Sequence, residues 1–355
     1  MTGAVFASAL GALETFAMPA GACEQRLAIA GVNLRMRLST RHLADSSLRA
    51  LAHHAVAEDC ASAPDLTVLV LDRDVPGNPL RDLFPAATSA PPMGYRVERW
   101  SYDGAAGRGL LHEGFRTLFL WDREHGRAAV WLGEAGELPY HLVALPLLPI
   151  LSWAFAARGF AVVHAAAVAT AGGALLIGGR SGTGKSTTAL ACLDAGLGFL
   201  GDDMCVIEPG DPPIVHSLFC SAKLDPPDTA RFPALAPALV QGSGPGWEKS
   251  VYLFDRHLAR GVVRDAPLAG VAIPRRDAGP AVRLSPRQGF LAMAPNTAFQ
   301  LPGAAQASCA GVKEIVSKVP VHSVGVGETI AAIPGRVSDF ARSLSSHGAR
   351  AERLA

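Results

Sequence analysis

The chain has 355 residues, 49% of them apolar and 18% charged, enough for a buried core in one large domain or two smaller ones. Its formal net charge of +1 leaves no basic footprint for nucleic acid or for an anionic membrane surface. The six cysteines (Cys23, Cys60, Cys192, Cys205, Cys220, Cys309) are scattered, which excludes a disulfide framework or a zinc site by spacing and points to a reduced, cytoplasmic compartment.

Residues 1–26 are small and apolar without clear periodicity, and are expected to be a poorly defined, partly disordered segment. No Lys or Arg precedes Arg26, so the apolar start lacks the basic region of a signal peptide. Val32–Leu38 alternates apolar and polar residues and predicts a half-buried strand. His42–Val56 has a helical pattern, Leu66–Leu71 predicts a buried strand, and the Pro/Gly/Ala-rich stretch 75–94 predicts a loop. Arg116–Trp121 and Arg127–Leu132, joined around Glu124-His125-Gly126, predict a hairpin. Residues 27–138 thus read as a small α+β domain dominated by antiparallel pairs. Its histidines (His42, His53, His54, His112, His125) lack ligand spacing and read as ordinary surface or core residues.

From Leu138 a helix is expected. The apolar run Leu142–Ala157 is too short for a confident membrane span and reads as a buried helix. Phe160–Val168 predicts one strand, and Ala174–Ile177 a second that feeds the stretch on which the chain centres. Gly179–Ser186 fits G-x-x-x-x-G-K-[ST] at every fixed position, with a strand before it and a helix to about Ala195 after it, the context that motif requires. Its glycines let backbone N–H groups converge on phosphate oxygens, and the helix N-terminus adds its own donors and dipole. Gly179, Ser181, Gly182, Thr183, Gly184, Lys185, Ser186 and Thr187 are the candidate nucleotide-binding residues. Lys185 would reach the β- and γ-phosphates, and the Ser186 hydroxyl would ligate Mg²⁺.

Asp202 and Asp203 follow, sixteen positions beyond Ser186, at the edge of a strand. One carboxylate in such a site holds Mg²⁺ and another orients or deprotonates the attacking hydroxyl. Adjacent strand residues point to opposite sides, so both can serve one site only where the strand is irregular or ends; Gly201 allows that. His164, by spacing alone, reads as a hydrogen-bonded core histidine.

Together, His164 ahead of the phosphate loop, GRSGTGKST, and GDDMCVIE after one helix resemble the catalytic domain of HPr kinase/phosphorylase, a P-loop serine kinase. The resemblance covers about 150–225; beyond that, to 340, the chain is similar only to a looser related group, some of whose members phosphorylate lasso-type precursor peptides. It implies an α/β fold, with a P-loop kinase domain of HPr-kinase type at 139–355 behind the smaller N-terminal domain. It implies ATP or another nucleoside triphosphate and Mg²⁺ as cofactors, Asp202 as the acid/base on the acceptor serine, Asp203 with Ser186 on the metal, and His164 near the transferred phosphate. Catalysis would fall to Asp202, Lys185 and His164. The family's acidic-Ile-Arg-Gly-Leu-Gly segment is absent. Leu218–Leu224 stands in its place, with Lys223 either a substitute phosphate contact or a solvated lysine.

Glu248–Phe254 reads as a charged entry into a strand, with Lys249 a candidate phosphate contact. Strands are expected at Leu268–Pro274, Ala281–Leu284 and Val319–Val324. Helices are expected at Pro286–Ala294, Ala304–Val316 and Glu328–Leu344. Pro295–Pro302 is expected to be a loop able to touch nucleotide or peptide. The function expected is transfer of a γ-phosphoryl group to a serine hydroxyl of a peptide or small protein, most simply a lasso-type precursor. A metabolite kinase and a nucleotide-binding module without turnover stand as alternatives. No Leu-Ser-Gly-Gly-Gln or Asn-Lys-x-Asp motif supports a transport ATPase or a GTPase. Neither nucleic acid nor membrane is an expected partner, and a homo-oligomer is compatible with the sequence.

Overall fold

The computed structural model describes residues 3–57, 62–72, 75–78, 98–112, 117–132, 138–240, 248–256 and 261–352. The chain divides into two compact units, 1–49 with 54–154, and 50–53 with 155–355. The division falls between Ala154 and Phe155, inside the apolar run that follows residue 138. Cys60, Arg116, residues 133–137 and most of the loop expected at 75–94 lie outside the described residues.

In the first unit, the segment expected to be poorly defined carries helix α1 (Gly3–Glu14) and the start of strand β1 (Cys23–Ile29). Phe6 and Ala9 are fully buried with Leu71, Leu118, Leu120 and Trp131. A helix of small apolar residues has no polar face to display a period; what orders it is a sheet face to cover. That sheet comprises β1, β2 (Val32–Leu38), β3 (Leu66–Asp72), β4 (Glu98–Asp103), β5 (Gly107–His112), β6 (Thr117–Asp122) and β7 (Arg127–Leu132), in the order β1-β2-β3-β7-β6-β5-β4. β3 runs parallel to both β2 and β7, and the other neighbours are antiparallel. The expected helix at 42–56 is a short α2 (Arg41–Ser47) followed by a 3₁₀ turn. The hairpin forms as read, with Asp122 opposite Arg127 across the turn.

The single helix expected from Leu138 is two, α3 (Tyr140–Ala144) and α4 (Leu148–Ala157). Pro146 and Leu147, the latter at φ 61°, separate them.

The second unit corrects one reading that bears on the site. Phe160–Val168 is not one strand. It is β8 (Ala161–Val163) and β9 (Ala166–Thr170), broken at His164-Ala165. Residues 161–168 are buried without interruption, so no alternation marks the break. The strands that follow are β10 (Gly173–Ile177), β11 (Gly198–Gly201), β12 (Cys205–Glu208), β13 (Ile214–Ser217), β14 (Ser221–Leu224), β15 (Leu239–Val240), β16 (Ser250–Leu253), β17 (Asp265–Arg275), β18 (Val282–Leu284) and β19 (Val321–Gly325). The main sheet runs β11-β9-β10-β17-β13-β12-β8, with β19 and β18 attached through β17; β14, β16 and β15 form a small separate sheet. The strand leading to the glycine-rich loop, β10, lies parallel to β17, and β17 lies parallel to β19.

The helices of this unit are α5 (Lys185–Asp194), α6 (Pro286–Gln300), α7 (Ala305–Lys318) and α8 (Ile333–Glu352). Two apolar clusters cover the two faces of the sheet. One joins α5 and α8 through Leu190, Leu193, Val337 and Phe340 to Val168, Leu175 and Ile177. The other joins α6 and α7 through Met293, Val312 and Ile315 to Val163, Ala167 and Leu176. This is the helix–sheet–helix layering of an α/β unit.

The loop expected at Pro295–Pro302 is also corrected, since α6 continues through it to Gln300. Proline costs a helix one hydrogen bond, but Met293, Ala294 and Thr297 are buried on either side of Pro295 and hold the turn in place. Ser285 and Gln288 close the helix start as a reciprocal capping box. Among the described residues no helix is long and apolar enough to cross a membrane. The five described cysteines are free thiols, and burial pushes the pKa of Cys192 and Cys220 up to about 12, leaving them inert.

Candidate functional site

Residues 178–184 form an irregular loop between β10 and α5. Gly179, Gly182 and Gly184 take φ of 128°, 80° and 95°, a region L side chains rarely adopt. At Gly179 a Cβ would also stand 2.8 Å from the Thr183 hydroxyl. Thr183 tightens the loop by donating from its hydroxyl and its N–H to the Arg180 carbonyl, at 2.9 and 3.3 Å. Ser181 and Gly182 are exposed, Ser186 and Thr187 half-buried. Gly184 caps α5 in the left-handed conformation, so the positive end of the helix opens onto the loop.

Lys185 is 7% exposed and folds back on the loop, its Nζ donating to the carbonyls of Gly179 (3.0 Å) and Arg180 (3.1 Å). Burial lowers its pKa, against the attraction of Asp203 and Asp202.

Asp202 and Asp203 occupy the gap between β11 and β12. The ladder stops at Gly201 and resumes at Cys205, so strand alternation does not force the two carboxylates apart. Asp202 is 2% exposed. Its Oδ2 accepts from the backbone N–H of Lys223 (2.9 Å), and its Oδ1 is buried without a hydrogen-bond partner among the described residues. Burial and the charge of Asp203 push its pKa up to about 6, while the Ser186 hydroxyl and Lys223 oppose that rise. Asp203 has the reverse balance. Burial would raise its pKa, but Lys223 Nζ at 2.6 Å from Oδ2 and His164 Nε2 at 2.9 Å from Oδ1 hold it well below the usual carboxylate range.

His164 stands at the break between β8 and β9, 5% exposed. Its backbone N–H donates to the Thr297 hydroxyl (3.1 Å). The Gln300 amide nitrogen lies 3.3 Å from its Nε2 and 3.4 Å from its Nδ1. One turn earlier on α6, Asn296 donates to the Gly179 carbonyl (3.1 Å). Arg276, just past β17, reaches the Gly182 carbonyl at 3.4 Å. Lys249 is turned to Asp225 (3.4 Å).

The geometry therefore gathers Lys185, Ser186, Asp202, Asp203 and His164 around one loop, and Lys223 joins them as the partner of Asp203. Asn296, Thr297 and Gln300 are additions. Their signal was present in the sequence, since polar residues at i, i+1 and i+4 share one helical face. It is hidden by Pro295, which makes the segment look like a loop.

Among the described residues no group of three or more His, Cys, Asp or Glu side chains is arranged to hold a metal. A magnesium ion needs only one or two carboxylates, with water and phosphate oxygens completing its shell. Asp202, with a buried acceptor oxygen left open, and Asp203 next to it fit that requirement.

No protein-family model and no curated protein matches the chain. Among solved structures it is similar to the Hpr(Ser) kinase/phosphatase from Coxiella burnetii, at 14% identity and a TM-score of 0.29, over 54% of this chain and 98% of that one. A likeness that slight carries no argument about activity.

Proposed function

We propose that the chain is a kinase that transfers the γ-phosphoryl group of ATP, or another nucleoside triphosphate, to a serine hydroxyl of a peptide or small protein. The observation that carries this reading is the break at Asp202-Asp203, which presents one buried and one largely buried carboxylate beside a glycine-built loop. A loop and a lysine alone suit any phosphate binder; an added carboxylate pair suits transfer to a hydroxyl.

In this reading the loop N–H groups and the α5 N-terminus bind the phosphates, and Lys185 leaves the Gly179 and Arg180 carbonyls to neutralise charge in the transition state. Mg²⁺, held by Ser186 and Asp203, would supply neutralisation of the charge on the transferred phosphate. Asp202 takes the proton of the acceptor hydroxyl; a carboxylate pushed up to about 6 is nearer the operating pH than an ordinary one and so a better base. Ser186 and Asp203 hold the metal. His164 orients Asp203 and is itself oriented by Gln300.

One observation favours a second reading with the two carboxylates exchanged. Asp202 Oδ1 is a buried acceptor left open, so Ser186 and Asp202 could share the metal and leave Asp203, with His164, to the acceptor. For the acceptor itself we propose a ribosomally made precursor of lasso type, on the sequence resemblance; a small metabolite is the competing class.

The test is transfer of labelled γ-phosphate to serine-bearing peptides. Phosphoserine that forms with Mg²⁺ and disappears after exhaustive chelation is the expected outcome. Full transfer in the chelated protein would sink the metal assignment, and labelling of metabolites but never peptides would move the acceptor to the other class.

A further inference from the structure

Asp202 is 2% exposed and the side chain of Asp203, next to it, 15%, so two neighbouring carboxylates repel one another with little water between them. What offsets the repulsion is Lys223. Its ammonium lies 2.6 Å from Asp203 Oδ2, with its side chain 14% exposed and that of Asp203 15%. Its backbone N–H simultaneously holds Asp202 Oδ2 at 2.9 Å. A single residue on β14 therefore grips both members of the pair, one through its main chain and the other through its charge.

We infer that the Lys223 ammonium is a resident counter-cation that occupies the carboxylate pair in the nucleotide-free protein and is displaced by the divalent cation. This rests on the metal-dependent kinase reading and deepens it. The two grips differ in kind. The main-chain bond is fixed by the β14–β16 ladder, where Lys223 pairs with Val251, whereas the ammonium sits on a long flexible stem and can leave. Asp203 Oδ2 is the acceptor an incoming cation would win from Lys223, while Asp202 Oδ1, buried and open, stays available to the acceptor hydroxyl. Two cations cannot share Asp203 Oδ2 at these distances without strong repulsion, so metal affinity and the lysine contact oppose each other. The released ammonium is then free for the phosphate oxygens that accompany the metal. Lysine suits this better than arginine, whose planar fork would bind the carboxylate bidentately and hold it.

The test measures Mn²⁺ binding to nucleotide-free protein, by the loss of the free-ion magnetic resonance signal, for the parent, Lys223→Met and Lys223→Arg. Lys223→Met should bind Mn²⁺ at least tenfold more tightly than the parent, and Lys223→Arg no more tightly than the parent. Equal or weaker binding by a folded Lys223→Met would overturn the inference. The unaltered protein gives a second reading that does not depend on a variant folding. Saturating Mn²⁺ should raise acylation of Lys223 by an amine-reactive reagent severalfold while exposed Lys318 stays unchanged. No rise at Lys223 would overturn the inference equally. Neither measurement uses phosphoryl transfer. Mn²⁺ competition in a protein that transfers nothing would therefore sink the kinase reading alone, and intact transfer with no competition would sink this inference alone.

Discussion

Each unit of the molecule contains an aspartate held by a histidine and a basic residue, and the two groups do different work. In the first unit Asp122, 3% exposed, accepts from Arg127 Nη2 at 2.7 Å, from the His125 ring at 2.9 Å and from the His125 N–H at 3.2 Å. In the second, Asp203 takes Lys223 and His164 at nearly the same distances. Both carboxylates are held below their ordinary pKa. The difference lies in the neighbours. The partners of Asp122 come from its own turn and open to solvent, with the His125 side chain 58% exposed; the group is complete and closes a hairpin. The partners of Asp203 come from β14 and from the break before β9, at least as buried as itself, and beside them stands a second carboxylate with an open oxygen. A His–Asp–cation trio is therefore no functional signature. A trio that leaves a neighbouring buried charge unsatisfied is one.

The sharpest way to break the contrast is to remove the cation that the second group faces across the loop. On the proposed kinase reading, Lys185→Ala should lower phosphoryl transfer by roughly 10²–10³-fold, since it deletes the charge that would leave the Gly179 and Arg180 carbonyls for the transition state. The fold should be unchanged by circular dichroism. Near-parental transfer would place the second unit alongside the first, as structure rather than chemistry.

The next test divides the pair. Asp202→Asn should cut transfer by roughly 10²–10⁴-fold, the usual range for loss of a general base, with nucleotide affinity close to parental. Asp203→Asn should instead weaken metal-dependent nucleotide binding. A reversal of the two patterns would favour the exchanged reading, in which Ser186 and Asp202 share the metal. Two variants that behaved alike would mean that the pair acts as one unit.

How much of this was legible in the sequence follows the same division. The geometry of the glycine-rich loop was readable because its spacing encodes it: three glycines at positive φ, then a lysine that starts a helix. The hairpin of Asp122 was readable because its partners are neighbours in sequence. The site's other parts were less so. The break at His164 falls in a run buried on both faces, where side-chain alternation carries no information. The helical Asn296-Thr297 and Gln300 were masked by a proline that burial overrides. Lys223 was named, but its role was open, because a pairing made between strands twenty residues apart leaves no local trace. The α1 segment was misread for a related reason, since only the sheet face it covers gives it order.

The smallest effect expected is in the first unit. Asp122 lies opposite Arg127 in the ladder and beside the turn that carries His125. Burial would raise its pKa, but bonds from Arg127 and His125 outweigh that and lower it. A carboxylate whose folded pKa lies below its unfolded value stabilises the fold above the unfolded pKa, near 3.9. That contribution fades as the pH falls through the folded value. Asp122→Asn should therefore cost about 1 kcal/mol at pH 7, the scale of a hydrogen bond to a charged group discounted for partners open to water. The readout is local, as hydrogen exchange at Phe119, Leu120 and Trp121 should quicken severalfold in the variant at pH 7. At pH below the folded pKa, parent and variant should converge, because the parent has then lost its charge. A gap that stays constant down to pH 2 would mean that the side chain acts by shape alone. A difference in phosphoryl transfer between the two would count against the contrast itself, by tying the closed group to the open one.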